Sequence, residues 1–371
     1  MKKVLALLMA VAIIFSLAAC GSISEAAPEV AVDPVLTEAI ENAKALESAY
    51  SEWDGPTTGP TIVRGKKIAI IIRDMAFGGD VLWGSGAEKA AQAAGWEYIT
   101  MDGQADNTVT LSCFSQAISL GVNGIITTAN TASLQSGIQE ALDHGIPTVG
   151  IHASSVVGPD EFDNLLYNNT TTPEAIGRAM ADFVIADSNG RGRVLIVYND
   201  SHSIANAKGN AMRKRIEECK TMELLGFITI GGASQTVPPL TATWVATYGP
   251  EPFYVMTVSD TILNYMIPVL RNGGVPPESV RLVGSDGEES AYERIRNGNE
   301  YQIATVPEPS LMFGYMAVDE LNRYFNGKEQ YVWSPSLHIV TKNNVNIEGV
   351  PENVWDPSNG FAEEYRKIWG L

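Results

Sequence analysis

The sequence predicts an α/β protein with two successive parallel sheets covered by helices. Two observations carry this. Short apolar segments rich in Ile and Val recur about every 22 to 30 residues, each followed by a stretch of helical periodicity. Strand–helix alternation of this kind builds parallel sheets covered on both faces, so the strands read as nearly continuous apolar runs. The second is length: 371 residues, enough for two units at about 150 residues per domain.

In the first half the strands fall at 67–73, 96–101, 123–128, 146–151 and 165–169, with helices expected over 83–94, 108–120 and 132–143. In the second half strands are expected at 193–198, 224–230, 253–258, 280–286, 301–306 and 337–341. The intervening helices run over 173–187, 204–220, 237–248, 260–271, 288–297 and 310–325. Outside this series lie an N-terminal helix over 34–53 and a C-terminal helix from Phe361 to Trp369.

The N-terminus has its own pattern. Lys2 and Lys3 precede an apolar run from Val4 to Leu17, which is short for a membrane span and right for a secretory signal. Leu17-Ala18-Ala19-Cys20 follows, the small-residue approach to a cysteine that a lipoprotein signal peptidase cuts. The expectation is a signal peptide over 1–19, acylation of Cys20, and an extracytoplasmic protein held at the membrane by its lipid. Residues 20–65 then comprise the tether and the N-terminal helix. Cys113 and Cys219 lack any CxxC context and read as buried free thiols.

The formal charge is −18, or −20 once Lys2 and Lys3 are removed, which argues against nucleic acid as a partner. There is no HExxH, no GxSxG elbow and no zinc-like Cys/His spacing, so enzymatic chemistry and a resident metal are not expected. No cofactor motif stands out either. Gly79 to Ser85 has Walker-type glycine spacing without the Lys-Ser/Thr pair, so an ATPase would be a separate chain.

In open parallel sheets, ligands bind beyond the carboxyl ends of the strands, and clefts between domains are the usual small-molecule sites. Several segments in order then carry a resemblance: KIAIIIRDMAFGGDVLWGSGAEKAAQAAGW, GVNGIITTANTASL, HGIPTVGIH, RVLIVYNDSHSIANAKGNAM, LVGSDG and YQIATVPEP. From about Lys66 to Lys342 the chain resembles the ribose- and galactose-type periplasmic sugar-binding proteins. The resemblance implies two doubly wound lobes joined by three crossovers, near Tyr167 to Asn169, Thr305 to Pro307 and Leu337 to Val340. It places lobe 1 at 66–167 plus 308–335 and lobe 2 at 168–306 plus 338–371. It also implies a monomer that closes on a small polar ligand by hinge motion and delivers it to an ABC permease with a separate ATPase.

The resemblance points to particular residues. Asp74, Phe77 and Asp80 follow the first strand, where the family hydrogen-bonds and stacks on a sugar ring. Thr128 and Asn130 follow the third strand, as ligand contacts or as helix caps. His152 stands where many sugar binders carry Asp-Arg. Asn199, His202, Asn206 and Lys208 follow the first strand of lobe 2, with Lys208 in place of a hydroxyl-gripping Arg. Ser259 and Asp260 replace an Asn-Asp pair, Asp286 matches a ligand-binding carboxylate, and Glu308 lies at the second crossing. Trp83 and Trp244 read as stacking platforms or as core. Five acids facing mainly Lys208 suggest a neutral or cationic ligand, with a monosaccharide as the family default. Two alternatives share the same cleft: a receptor feeding a sensor kinase or chemoreceptor, and a binder of a nucleoside, polyol or autoinducer.

Overall fold

The computed structural model describes residues 33–48, 50–161, 164–200, 202–231, 233–350 and 353–371. The expected signal peptide and Cys20 lie outside the described residues.

Helix α1 (Pro34–Leu46) opens the described chain, ending seven residues short of the expected 53. The first sheet holds β1 (Lys67–Ile72), β2 (Glu97–Asp102), β3 (Gly124–Thr127), β4 (Thr148–Ile151), β5 (Gly158–Asp160) and β6 (Leu165–Asn169). Its order is β2-β1-β3-β4-β6-β5, parallel except for β5, an edge strand that the periodicity did not reveal. Helices α2 (Gly78–Ala93), α3 (Asn107–Ser119) and α4 (Gln135–Asp143) connect β1 through β4.

The second lobe adds α5 (Pro173–Asp187), then β7 (Arg193–Tyr198), α6 (Ser203–Glu218), β8 (Glu223–Thr229), α7 (Ala233–Tyr248), β9 (Phe253–Thr257) and α8 (Asp260–Asn272). It continues with β10 (Val280–Asp286), α9 (Glu289–Asn297) and β11 (Gln302–Pro307). After α10 (Ser310–Phe325) comes the short β12 (Val340–Thr341), antiparallel to β11, in place of the longer strand expected from 337. The order is β12-β11-β10-β9-β7-β8. Both sheets are thus mixed but mostly parallel. Strand β1 shows why the apolar runs were informative: Ile68 through Ile72 are all buried, because helices cover both faces.

Helices α2 and α10 pack against each other at close range. A Cβ on Gly86 would lie 2.0 Å from the Ser310 carbonyl oxygen, and one on Gly314 would lie 2.1 Å from that of Gly86. A similar contact brings α5 against α6, where a Cβ on Gly177 would lie 2.2 Å from the Lys208 carbonyl oxygen.

The chain passes between the sheets after β6, after β11 and before β12. The terminal segments add two further links. Ala39 of α1 is part of the second-lobe core, and Asn42 donates to Asp182 of α5 at 2.8 Å. Sixteen residues beyond α1, Ile62 is already in the first-lobe core and donates its N–H to the Trp369 carbonyl at 3.0 Å. The tail makes the reverse journey. Val345 and Trp355 pack with Tyr292 and Val340, and then Phe361, Tyr365 and Trp369 join the first-lobe core. Helix α11 (Phe361–Trp369) therefore packs with lobe 1, which departs from the expected placement of this last part of residues 338–371 in lobe 2, whereas Val340, Val345 and Trp355 stay with Tyr292. Its aromatic residues, four apart, present one apolar stripe. Trp369 Nε1 donates to Asp319 of α10 at 2.8 Å, fixing the lobe that receives the stripe.

Candidate functional site

A cleft of about 330 Å³ lies between the carboxyl ends of the two sheets. Of the residues expected there, Asp74, Phe77, Asp80, Thr128, Asn130, His152, Asn199, His202, Lys208, Ser259 and Asp286 line it.

The lobe 1 side is built on the turn after β1. Helix α2 starts at Gly78, five residues before the helix the sequence suggested. Asp80 therefore sits in the first helical turn, where a carboxylate is favoured by the helix dipole. It is buried and meets Arg73 Nη2 at 2.6 Å. Burial pushes its carboxyl up to about 7, against the pull of the Arg73 guanidinium. Arg73 also lies over the Phe77 ring at 4.8 Å. Asp74 Oδ1 accepts the Ala76 N–H at 2.9 Å, which closes the turn. Thr128 Oγ1 accepts the Arg73 N–H at 3.0 Å, so it anchors the neighbouring strand end rather than capping a helix. Asn130 precedes a short 3₁₀ turn without capping it by its side chain.

His152 has a left-handed backbone, φ 51°, which turns its ring inward against Trp83 at 4.4 Å between ring centres. Its Nδ1 lies 2.9 Å from Glu308 Oε2 and 3.0 Å from Thr170 Oγ1. Asp286 is likewise left-handed, φ 88°. For non-glycine residues such backbones cost about 1 kcal/mol or more and persist where the surroundings enforce them.

Lys208 is fully buried, with Nζ 3.0 Å from Asp286 Oδ1, 3.3 Å from Ser285 Oγ and 3.8 Å from Glu308 Oε2. Burial alone would lower its pKa, but Asp286 and Glu308 outweigh that and hold it above the ordinary lysine value. Glu308 feels the converse. Burial would raise its pKa, yet His152 and Lys208, with hydrogen bonds from His152 and Thr171, hold it at about 2. His152, Asp286 and Glu308 bring ligand atoms within 4.8 Å of one another, as a metal site would. The Lys208 ammonium stands among them and supplies the positive charge, so these residues do not fit an added cation.

Three expected residues are not cleft-lining. Asn206 lies on the outer side of α6, its carbonyl oxygens accepting from Asn210. It is two residues from Ile204 and from Lys208, about 200° around the helix from each. Asp260 is buried under the loop after β10, accepting from Gly287 N at 3.0 Å, Glu288 N at 3.2 Å, Gln302 Nε2 and Thr305 Oγ1. It holds the Asp286 loop rather than a ligand. Glu308 lies beneath the floor, receiving the Thr171 hydroxyl at 2.6 Å.

The sequence reading did not single out Arg73, Thr261, Tyr265 or the apolar lining of Ile204, Ile230, Val258 and Ile262. Arg73 falls at the end of the strand expected over 67–73, whereas β1 ends at Ile72 and leaves Arg73 as the first residue of the loop. Trp83 lines the cleft, whereas Trp244 belongs to the second-lobe core. Cys113 and Cys219 are both buried free thiols. The acidic balance inferred earlier is also reduced, because Asp260 and Glu308 lie outside the lining and Arg73 joins Lys208 within it.

The lobes meet closely at one edge of the cleft. A Cβ on Gly78 would lie 2.9 Å from the Glu288 carboxyl carbon.

Two α/β lobes facing each other across a cleft, with interlobe crossings beneath it, define a ligand-clamping binding protein. The periplasmic binding protein domain family matches residues 68–329, and the chain belongs to that family, whose members bind rather than transform their ligands. Solved structures agree on the fold. The periplasmic binding component of the arabinose ABC transporter from Shewanella sp. ANA-3, bound to L-arabinofuranose, superposes with a TM-score of 0.67 at 15% identity, covering 82% of this chain and 95% of that one. A Caulobacter myo-inositol binding protein with its ligand gives 0.66 at 17% identity, covering 76% and 94%. An Agrobacterium vitis ABC transporter solute-binding protein with bound allitol gives 0.65 at 17% identity, covering 76% and 97%. No curated protein matches the chain.

Proposed function

We propose that this protein is the extracytoplasmic receptor of an ABC importer, anchored through a lipid on Cys20. It captures a neutral monosaccharide or polyol by closing its two lobes, and passes it to a permease driven by a separate ATPase. The observation that carries the ligand class is the internal pairing of charge in the cleft. Arg73 is matched by Asp80, and Lys208 by Asp286 and Glu308. A free anion would have to displace a carboxylate from Arg73 or Lys208 to find a partner. Hydroxyl groups can add to the same groups without breaking them, because each carboxylate accepts several hydrogen bonds. Sugars and polyols are the ligands named for the three structural relatives above, which supports the same class.

The test is thermal unfolding of the soluble chain from Gly21 against monosaccharides, polyols, nucleosides and sugar phosphates. A ligand at about 100 times its dissociation constant stabilises by about 2.7 kcal/mol. A shift with a neutral sugar or polyol supports the reading; shifts only with sugar phosphates refute it. For the anchor, Cys20→Ser is expected to release the protein from the membrane fraction, and retention there would refute lipidation.

A further inference from the structure

The branched aliphatic lining of the cleft comes from one lobe. Lobe 1 contributes Arg73, Asp74, Asp80, Asn130 and His152, with the rings of Phe77 and Trp83. Beside the polar Asn199, His202, Lys208 and Asp286, lobe 2 contributes an apolar strip of Ile204, Ile230, Val258 and Ile262, drawn from four separate elements. Ile204 and Ile262 sit in the first turns of α6 and α8, while Ile230 and Val258 follow β8 and β9 directly. Ile230, Val258 and Ile262 are continuous with the lobe 2 core, so the core itself reaches the cleft surface.

Several polar groups beside the strip are already committed. Lys208 and Asp286 hold each other, and the Thr261 hydroxyl donates to Glu288. Ser259, between Val258 and the first turn of α8, is the contrast. It is buried, lines the cleft, and its Oγ has no hydrogen-bond partner.

A fully hydroxylated ring offers a hydroxyl at nearly every carbon. One pressed against the apolar strip would lose its water and gain nothing. A methyl group or a deoxy carbon in that place would instead be removed from water favourably. Resting on the sugar or polyol reading above, we propose that the ligand is a deoxy or methyl-bearing monosaccharide or polyol. Its non-hydrogen-bonding edge lies on the Ile204–Ile230–Val258–Ile262 strip, one hydroxyl reaches Ser259, and the remaining hydroxyls face lobe 1.

The experiment is calorimetric titration of the soluble chain with matched pairs: aldohexoses and their 6-deoxy counterparts, in both enantiomeric series, and polyols with their terminal-deoxy forms. The expected result is a deoxy member that binds at least about 10-fold tighter than its hydroxylated parent, the range for one group in an apolar pocket. Parents that bind as tightly as, or tighter than, their deoxy forms overturn this inference and leave the sugar-receptor reading standing. No binding by any member overturns both. Ile204→Thr, at the helix start, and Val258→Thr, nearly isosteric, each place a hydroxyl on the strip. Each is expected to shift the preference about 10-fold toward the parent; an unchanged ratio in both folded variants overturns the assignment of the strip.

Discussion

Lys208 Nζ lies 3.0 Å from Asp286 Oδ1 and 3.8 Å from Glu308 Oε2, with all three side chains almost wholly out of water. Asp286 belongs to lobe 2 and Glu308 to a crossing, so this buried cluster joins the cleft floor to that crossing. Removing one member of a buried ion pair leaves its partner uncompensated, at a cost of about 3–5 kcal/mol. Lys208→Met is therefore expected to destabilise by about that amount in urea unfolding and to abolish ligand-induced stabilisation. Glu308→Gln keeps an acceptor for Thr171 and leaves Lys208 its Asp286 partner, so its cost is expected to be smaller.

Arg73 and Asp80 form the corresponding pair in lobe 1, and Arg73 also covers Phe77. Asp80→Asn keeps the shape but removes the charge that orients Arg73. The expectation is a roughly 10-fold or greater loss of ligand affinity, from a charge-assisted hydrogen bond worth about 1.5–3 kcal/mol. Phe77→Ala is expected to weaken binding less, by the order of 1 kcal/mol attributed to ring contacts. Titration calorimetry of both variants checks the ranking, and equal losses would contradict it.

Glu320 gives a prediction about pH. Burial, and then the neighbouring Asp319, push its carboxyl up to about 8, and its Oε2 has no hydrogen-bond partner. Asp356 is raised to about 7 by burial. Between their ordinary and raised pKa values these groups hold protons in the folded state that the unfolded state has released. Their contribution is thus complete below about pH 4 and is lost as pH rises, at about 1.4 kcal/mol per pH unit for each group within its window. Glu308, lowered to about 2, acts oppositely: its contribution is lost as pH falls from about 4.5. The thermal midpoint is therefore expected to be higher at pH 5 than at pH 8.5. Glu320→Gln, neutral throughout, should flatten that decline. An unchanged slope in this variant would assign the decline to other groups.

The sheets were legible because a parallel strand covered on both faces has to be apolar at successive positions. Residues 165–169, 193–198 and 280–286 emerge as strands with the expected bounds. Strand β5, with three residues including a proline, carried no such run. The start of α2 was hidden because Gly78 and Gly79 read as a turn, whereas Gly78 admits the close approach of Glu288 from the other lobe. In the site, position after a strand was a good guide to proximity but not to direction. Asn206 and Lys208 are two residues apart and face different ways, and Asp260 turns under its loop while its neighbour Ser259 stays in the lining. Charge pairing was out of reach for a similar reason, since Arg73 meets Asp80 only because the helix begins at residue 78.

The termini make a final prediction about the hinge. Asp356 accepts the N–H groups of Leu311 and Met312 at 3.3 and 3.0 Å, at the open start of α10, three residues beyond Glu308. Helix N-termini present unpaired donors and positive potential, so this carboxyl is an acceptor delivered from the far end of the chain. Beyond it, Trp369 is 1% exposed and its ring stacks on Tyr315 at 5.4 Å. A tail packed in this way is part of the lobe 1 core and should behave as core. Trp369→Ala is expected to cost about 3–5 kcal/mol in urea unfolding, as for other buried aromatics. Asp356→Ala is expected to cost about 1–3 kcal/mol, through two amides left without an acceptor. Because the tail and the segment between α1 and β1 add two links to the three crossings, loosening the tail should also widen lobe motion. Labels placed on exposed Asn210 and Glu97 would report this as a broader interlobe distance distribution in Asp356→Ala than in the parent chain. Identical distributions, with the stability loss present, would confine the tail to a role within lobe 1.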